Sequence, residues 1–155
     1  MRVYHKAYVY LTCGRKLLVF EQPENPHVGL QVPGGTLDSG ESYLHGARRE
    51  FLEETGLALD LALDHLADQD HVFHMESGEL HGLHRRRHFH GALARIPAEE
   101  WEHYEMTPSA GGPPILFRLF WLDVFSQQAH EAHNFYEGFG AQLDAVRARV
   151  QGTPA

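Results

Sequence analysis

Residues 35–57 read Gly-Thr-Leu-Asp-Ser-Gly-Glu-Ser-Tyr-Leu-His-Gly-Ala-Arg-Arg-Glu-Phe-Leu-Glu-Glu-Thr-Gly-Leu. Leu44, Ala47, Phe51 and Thr55 recur at intervals of three and four, which predicts a helix over Glu41–Thr55 with one buried stripe. Ser39 or Ser42 is placed to cap its start, and Gly56 stands where a left-handed residue closes a helix. Glu50, Glu53 and Glu54 then fall at i, i+3 and i+4 and share one edge, away from that stripe. Three carboxylates this close repel one another, which costs helix stability unless a cation sits among them. Oxygen-only ligands suit a hard divalent ion, Mg²⁺ or Mn²⁺. Arg49 reaches Glu53 at i+4 and can orient it by a charge-assisted bond. Gly34 and Gly35 allow a sharp turn and a close backbone approach, so a backbone carbonyl can join the ligand set. The plain alternative for an acidic triplet is a solvated helix face, and the triplet alone does not exclude it.

Outward from this helix the chain reads as strands. Val3–Thr12 is a strand, Cys13-Gly14-Arg15 a turn and Lys16–Phe20 a second strand, together a hairpin. Glu21–Gly29 is a loop, and Leu30–Val32 a brief extended piece stopped by Pro33. Beyond the helix, Leu57–Leu66 returns to strand or extended chain. Asp68–Leu83 is polar and rich in histidine; it reads as a strand around Val72-Phe73 followed by an exposed hairpin or loop. His84–Ala94 alternates charged and apolar side chains, a strand with one wet face. Pro97-Ala98-Glu99-Glu100-Trp101 has proline first and acids next, the pattern of a helix start. Ser109–Pro114 is a loop, and Ile115–Phe125, nearly all apolar, a strand buried on both faces. Phe135, Phe139, Leu143, Val146 and Val150 again repeat at three and four, an amphipathic terminal helix whose first turns Gly138 and Gly140 weaken. Strands before and after two long helices predict an α/β fold, a mixed sheet with helices packed on it. One domain over residues 1–155 fits this length.

The charge balance restricts partners. Thirteen Lys and Arg against 21 Asp and Glu leave −8 with His neutral, which argues against sequence-independent binding of duplex nucleic acid. A phosphorylated substrate remains open, because bound metal supplies positive charge locally. The one cysteine, Cys13, allows no intrachain disulfide, and a reducing cytoplasm is the simplest home. Arg2, Lys6, Arg15 and Lys16 interrupt the first twenty residues, which predicts no secretory leader, and no apolar run is long enough to span a membrane.

At this spacing Gly35, Glu41, Arg49-Glu50, Phe51, Glu53-Glu54, Gly56 and Leu57 resemble the Nudix box, with every fixed position filled. The resemblance implies an α/β/α sandwich around a mixed central sheet. It implies Mg²⁺- or Mn²⁺-dependent hydrolysis of a pyrophosphate bond in a nucleoside diphosphate linked to another moiety. A dinucleoside polyphosphate, a nucleotide sugar or a nucleoside triphosphate would serve. Glu50, Glu53 and Glu54 would be metal ligands, with the Gly35 carbonyl a further one. Glu53 or Glu54 would be the general base, although some relatives recruit it from outside the box. Glu41 and Arg49 would hold loop and helix in register. Homodimers are common among relatives.

Substrate-reading residues lie outside the box. The cysteine and partner motifs of isopentenyl diphosphate isomerases, the extra motif of NADH pyrophosphatases and the proline of many ADP-ribose hydrolases are not evident. Phe73 stands where diadenosine polyphosphate hydrolases often carry an aromatic; the alternative is a core phenylalanine. Arg85 and Arg87 face one way on their strand and Arg86 the other, which reads as a phosphate clamp or as a solvated strand edge. Gln31 is placed to face a pocket. The pairs His71/His74, His81/His84 and His88/His90 have spacings that can chelate Zn²⁺, against ordinary hydrogen-bonded histidines. Two rival functions follow: a non-catalytic module of the same fold that senses a nucleotide, and a histidine-rich metal-handling protein.

Overall fold

The structure, a computed structural model, describes residues 2–108, 111–136 and 138–153. In chain order the elements are β1 (Arg2–Cys13), β2 (Lys16–Glu21), β3 (Gly34–Thr36), α1 (Tyr43–Thr55), β4 (Asp64–His74), β5 (Leu80–Leu93), β6 (Glu100–Glu105), β7 (Ile115–Asp123), α2 (Gln127–His130) and α3 (Leu143–Val150). The strands form a seven-stranded sheet in the order β4-β5-β1-β2-β7-β6, with β3 paired to β1. β1 and β5 run parallel and every other pair antiparallel, so the sheet is mixed, as expected.

The sheet parts in the middle. β1 pairs with β2 only at Thr12–Leu17 and Cys13–Lys16. Beyond that point the two strands diverge, and residues 30–36 run through the gap. Gln31 bonds to Phe20 of β2 on one side, while Gly34, Gly35 and Thr36 bond to Tyr8, Ala7 and Lys6 of β1 on the other. A parted sheet exposes a groove in the middle of a packed fold, and this groove becomes the site.

Alternation along β1 and β2 feeds two cores. Ala7, Val9, Leu11, Leu18 and Phe20 face α1, where they bury Ala47 and Phe51. Tyr8, Tyr10, Leu17 and Val19 face the opposite side, under Leu143, Val146 and Val150 of α3. Phe51 is fully buried, which stabilises the α1 contact by about 1.5–3 kcal/mol. Helices therefore lie on both faces of the sheet.

α1 begins at Tyr43, because the Ser42 hydroxyl accepts the His45 N–H at 3.1 Å. It ends at Gly56, whose φ of 78° gives the left-handed cap. The apolar stripe is shorter than its spacing implied: Leu44 is 41 % exposed. Residues 57–63 are irregular, and β4 starts only at Asp64.

Three further elements differ from the sequence reading. The expected helix start at Pro97–Trp101 is instead the approach to β6, because Glu100 to Glu105 alternate exposed and half-buried against β7. The period of two outweighs the capping signal. The expected wet face of β5 is buried: Arg86, His88 and His90 point into the layer beneath Tyr8, Tyr10 and Phe139. The terminal helix is shorter than expected. Phe135 bridges to Leu30 in extended form, Phe139–Gln142 is a 3₁₀ turn and α3 proper begins at Leu143. β7 closes at Asp123 rather than Phe125, and the one-turn helix α2 follows it. Ser109 and Ala110 of the expected loop, and Glu137 within the expected terminal helix, lie outside the described residues.

Candidate active site

Arg49 organises the acidic edge of α1. Its Nε and one terminal nitrogen donate to both oxygens of Glu41, at 2.8 and 2.9 Å. The other terminal nitrogen donates to Glu50 at 3.0 Å and to Glu53 at 3.2 Å, and the Thr36 carbonyl accepts a further bond at 3.1 Å. The Arg49 bonds hold the Glu41 carboxyl down at about 2, where it stays ionised. Glu41 also accepts the Asp38 N–H at 3.0 Å. The loop before α1 and the helix itself are thus tied through one planar cation.

Glu54 does not stay on a solvated edge. It is 6 % exposed and accepts the Gly34 N–H at 2.6 Å. Burial pushes its carboxyl well above the usual range, and Glu105 adds repulsion. Burial likewise raises Glu50, against the opposing pull of Arg49. A Cβ built on Gly35 would lie 2.6 Å from the Glu50 carboxyl, so only glycine permits this approach of β3 to α1. Glu53 is nearly half-exposed at the rim, beside Arg49.

The sequence reading missed one member of this group, Glu105. The inward residues of β6 dock on the end of α1: the Trp101 indole N–H donates to the Thr55 carbonyl at 2.9 Å, and His103 bonds the Glu53 carbonyl at 3.0 Å. Two residues further along the same face, Glu105 meets Glu50 and Glu54, and one carboxylate oxygen of each lies within 4.8 Å of the others. The Glu105 carboxyl is pushed up to about 7 by burial, with Glu50 and Glu53 adding repulsion. The sequence carried little signal for it: Trp101 and Tyr104 stand three apart, and a period of two appears only in the burial of β6 once it pairs with β7.

These carboxylates form the floor of a cleft of about 340 Å³ in the parted sheet, with Gly35 beside them. Gln31 and Phe73 line its walls. Arg85 and Arg87 do not line it. The β4–β5 register sets Asp70 opposite Arg85 and Asp68 opposite Arg87, and the pairs close at 3.2 and 3.0 Å on the α1 side of the sheet. Arg87 also lies over the Tyr43 ring at 4.7 Å. Strand pairing thus gives both arginines carboxylate partners, and with Tyr43, Asp68 and Asp70 they line a separate surface hollow rather than the cleft. Among the described residues, the one group of three or more potential ligands from His, Cys, Asp and Glu is Glu50, Glu54 and Glu105, with no histidine in it.

Residues 4–99 match the family model of the NUDIX domain. The chain belongs to the NUDIX family. Such enzymes are pyrophosphohydrolases that act on phosphoric anhydrides. The fold is shared with a NUDIX hydrolase from Nitrosomonas europaea at 19% identity and a TM-score of 0.65, covering 96% of this chain and 90% of that one. It is shared with the NUDIX domain of Shewanella oneidensis NrtR, complexed with ADP ribose, at 11% identity and 0.66, covering 97% and 90%. It is also shared with Caenorhabditis elegans Ap4A hydrolase, at 14% identity and 0.60, covering 96% and 99%. No curated protein matches this chain in sequence. NUDIX enzymes generally use divalent metal, and the donor set of this NUDIX chain fits one. It is all oxygen, with Glu50 and Glu54 on α1 and Glu105 of β6 beside them, and burial first, then neighbouring carboxylates, raises all three. No helix among the described residues is long and apolar enough to cross a membrane.

Proposed function

We propose that this chain hydrolyses the pyrophosphate bond of a nucleoside diphosphate joined to another moiety, with Mg²⁺ or Mn²⁺ held by Glu50 and Glu54. The single observation that carries this reading is the meeting of Glu50, Glu54 and Glu105 at the floor of the cleft. Gly35 and Glu53 flank the pair and offer further oxygen donors. When bound, the cation offsets phosphate charge and acidifies a water for in-line attack on phosphorus.

The chain's own residues then divide the remaining work. Glu41 and Arg49 fix the acidic edge of α1 in position. Glu50 is held by Arg49 and Glu54 by the Gly34 N–H. Glu105 closes the group from another element, with no hydrogen bond to its carboxylate among the described residues, and is left to take the proton of the attacking water. Phe73 and Gln31 line the cleft where the nucleoside would lie. Two fold relatives support the substrate class. One is complexed with ADP ribose and the other is an Ap4A hydrolase, so both deal with adenine nucleotides joined through phosphoric anhydrides. The lone cysteine fits a cytoplasmic setting.

The test is a panel of nucleotide sugars, dinucleoside polyphosphates and nucleoside triphosphates assayed with Mg²⁺ and with Mn²⁺. Phosphorylated products from at least one class are expected. Glu54→Gln should lose Mn²⁺ binding and turnover together, whereas Glu105→Gln should keep Mn²⁺ and lose roughly 10²–10⁴-fold in kcat. Turnover of Glu105→Gln near the wild-type rate would return the base to α1, and no product from any class would sink the reading.

A further inference from the structure

The acidic floor poses an electrostatic problem, because the proposed substrate is itself an anion. Among the described residues lining the cleft, Lys6 alone carries a permanent positive charge. Its backbone pairs with Thr36 of β3 and Arg86 of β5, so it stands on β1 directly beside the stretch that brings Gly35 against Glu50. The side chain alternates with Ala7, which is buried under α1, and so falls on the same face as Tyr4, Tyr8 and His84. Its charge reaches all the acids of the floor, lowering Glu50, Glu54 and Glu105 alike. It reaches His84 as well, opposing protonation of that ring.

We propose that Lys6 is the anchor for the substrate's phosphate chain, binding phosphoryl oxygens beside the carboxylates that hold the cation. The inference rests on the hydrolase reading and deepens it by naming a residue outside the box that positions the anhydride. A lysine suits the task as a compact, mobile point charge that can follow phosphoryl oxygens as the bond breaks.

His84 continues the same wall without adding charge. Its ring packs on Phe73 at 4.2 Å between centroids, and both line the cleft. Burial, followed by Lys6 and Arg86, holds His84 down at about 3, so it is neutral near pH 7. Its buried Nδ1 has no hydrogen-bond partner among the described residues. The wall thus presents one cation, then a neutral hydrogen-bonding ring tilted against an aromatic, in the order phosphate then nucleoside.

The test uses methylenediphosphonate, a base-free diphosphate analogue that cannot be hydrolysed, titrated calorimetrically into the full chain at saturating Mg²⁺. Lys6→Met should raise its Kd by about 10–100-fold, the worth of one charge-assisted hydrogen bond. Lys6→Arg should recover most of that loss, with thermal stability unchanged in both. Gln22→Glu lowers the charge of the cleft by the same one unit from β2's side and serves as control for a general field effect. It should cost much less than Lys6→Met. Equal losses for Lys6→Met and Gln22→Glu, an unchanged Kd in Lys6→Met, or no binding by the wild type would each overturn the proposal. Because binding is read apart from turnover, a failure of Lys6 as anchor is distinguishable from a failure to hydrolyse any anhydride. In the active enzyme the loss should fall on KM more than on kcat.

Discussion

Arg49 and Glu41 meet in a two-pronged pair, at 2.8 and 2.9 Å, across the loop that separates β3 from α1. Glu41 is almost wholly covered, and its partner simultaneously holds Glu50 and Glu53. One guanidinium therefore decides both where the helix starts relative to the loop and where its carboxylates point. Glu41→Gln keeps the shape and removes the charge. It should cost on the order of 2 kcal/mol in urea denaturation. Its kcat/KM should fall by about 10²-fold, because small misplacement of reacting groups is expensive. Arg49→Lys should behave similarly, since an ammonium cannot make the planar fork. Full activity in both variants would show that the pair is not what positions the acids.

Gly35→Ala tests the close approach of β3 to α1. The new Cβ would lie 2.6 Å from the Glu50 carboxyl and must displace it. The expected outcome is a folded protein, with an unchanged far-ultraviolet circular dichroism spectrum, that binds Mn²⁺ at least tenfold more weakly by electron paramagnetic resonance. Wild-type Mn²⁺ affinity would mean that Glu50 is dispensable for the ion.

The comparison of Glu54 with Glu105 shows what local sequence carries and what it does not. Glu54 belongs to a stretch whose helix, caps and acid spacing are all set within a few residues, and the structure places α1 nearly where the spacing does. Its burial was not visible, because it depends on Gly34 arriving from another element. Glu105 lies 51 residues away, and its place depends on β6 pairing with β7 and docking through Trp101 on Thr55. A proline followed by acids mimics a helix start, and only the pairing partner turns the balance toward a strand. The same holds for Arg86, His88 and His90. Alternation assigns them to one face of β5, but whether that face is wet is decided by Tyr8, Tyr10 and Phe139.

Buried histidines set the acid limit of the fold. His88 is wholly buried against Tyr8 and Tyr10, and its Nε2 bonds the Gln69 amide oxygen at 3.0 Å. Burial, followed by Arg86, pushes it down to about 3 from an ordinary value of 6.5. The folded state therefore keeps His88 neutral while the unfolded chain protonates it below pH 6.5. The sign is that stability is fully present above pH 6.5 and is lost as pH falls toward 3. The slope for this one group approaches about 1.4 kcal/mol per pH unit. His90 is lowered for the same first reason and acts in the same direction. The raised carboxyls of Glu50, Glu54 and Glu105 act in the opposite direction over this range, so the readout is a difference: from pH 7 to pH 4 the urea midpoint of wild type should lose more, or gain less, than that of His88→Gln. A His88→Gln curve parallel to that of wild type would assign the loss to other groups.

Arg85 and Arg87 supply the opposite case, residues whose charge invites a functional role but which already have carboxylate partners. Both guanidiniums face Asp70 and Asp68 across the strand pair, and both are substantially exposed. Arg87 spends its remaining face on Tyr43. A phosphate at either position would have to displace a carboxylate already bonded there, and the cleft floor opens elsewhere. Exposed pairs of this kind contribute little, about 0–1 kcal/mol each. Arg85→Ala/Arg87→Ala should therefore shift stability by no more than about 2 kcal/mol. The KM for the best nucleotide substrate should stay within twofold of wild type, in contrast to the loss expected for Lys6→Met. A tenfold rise in KM in the double variant would restore the clamp, and would require the Asp68 and Asp70 bonds to open when substrate arrives.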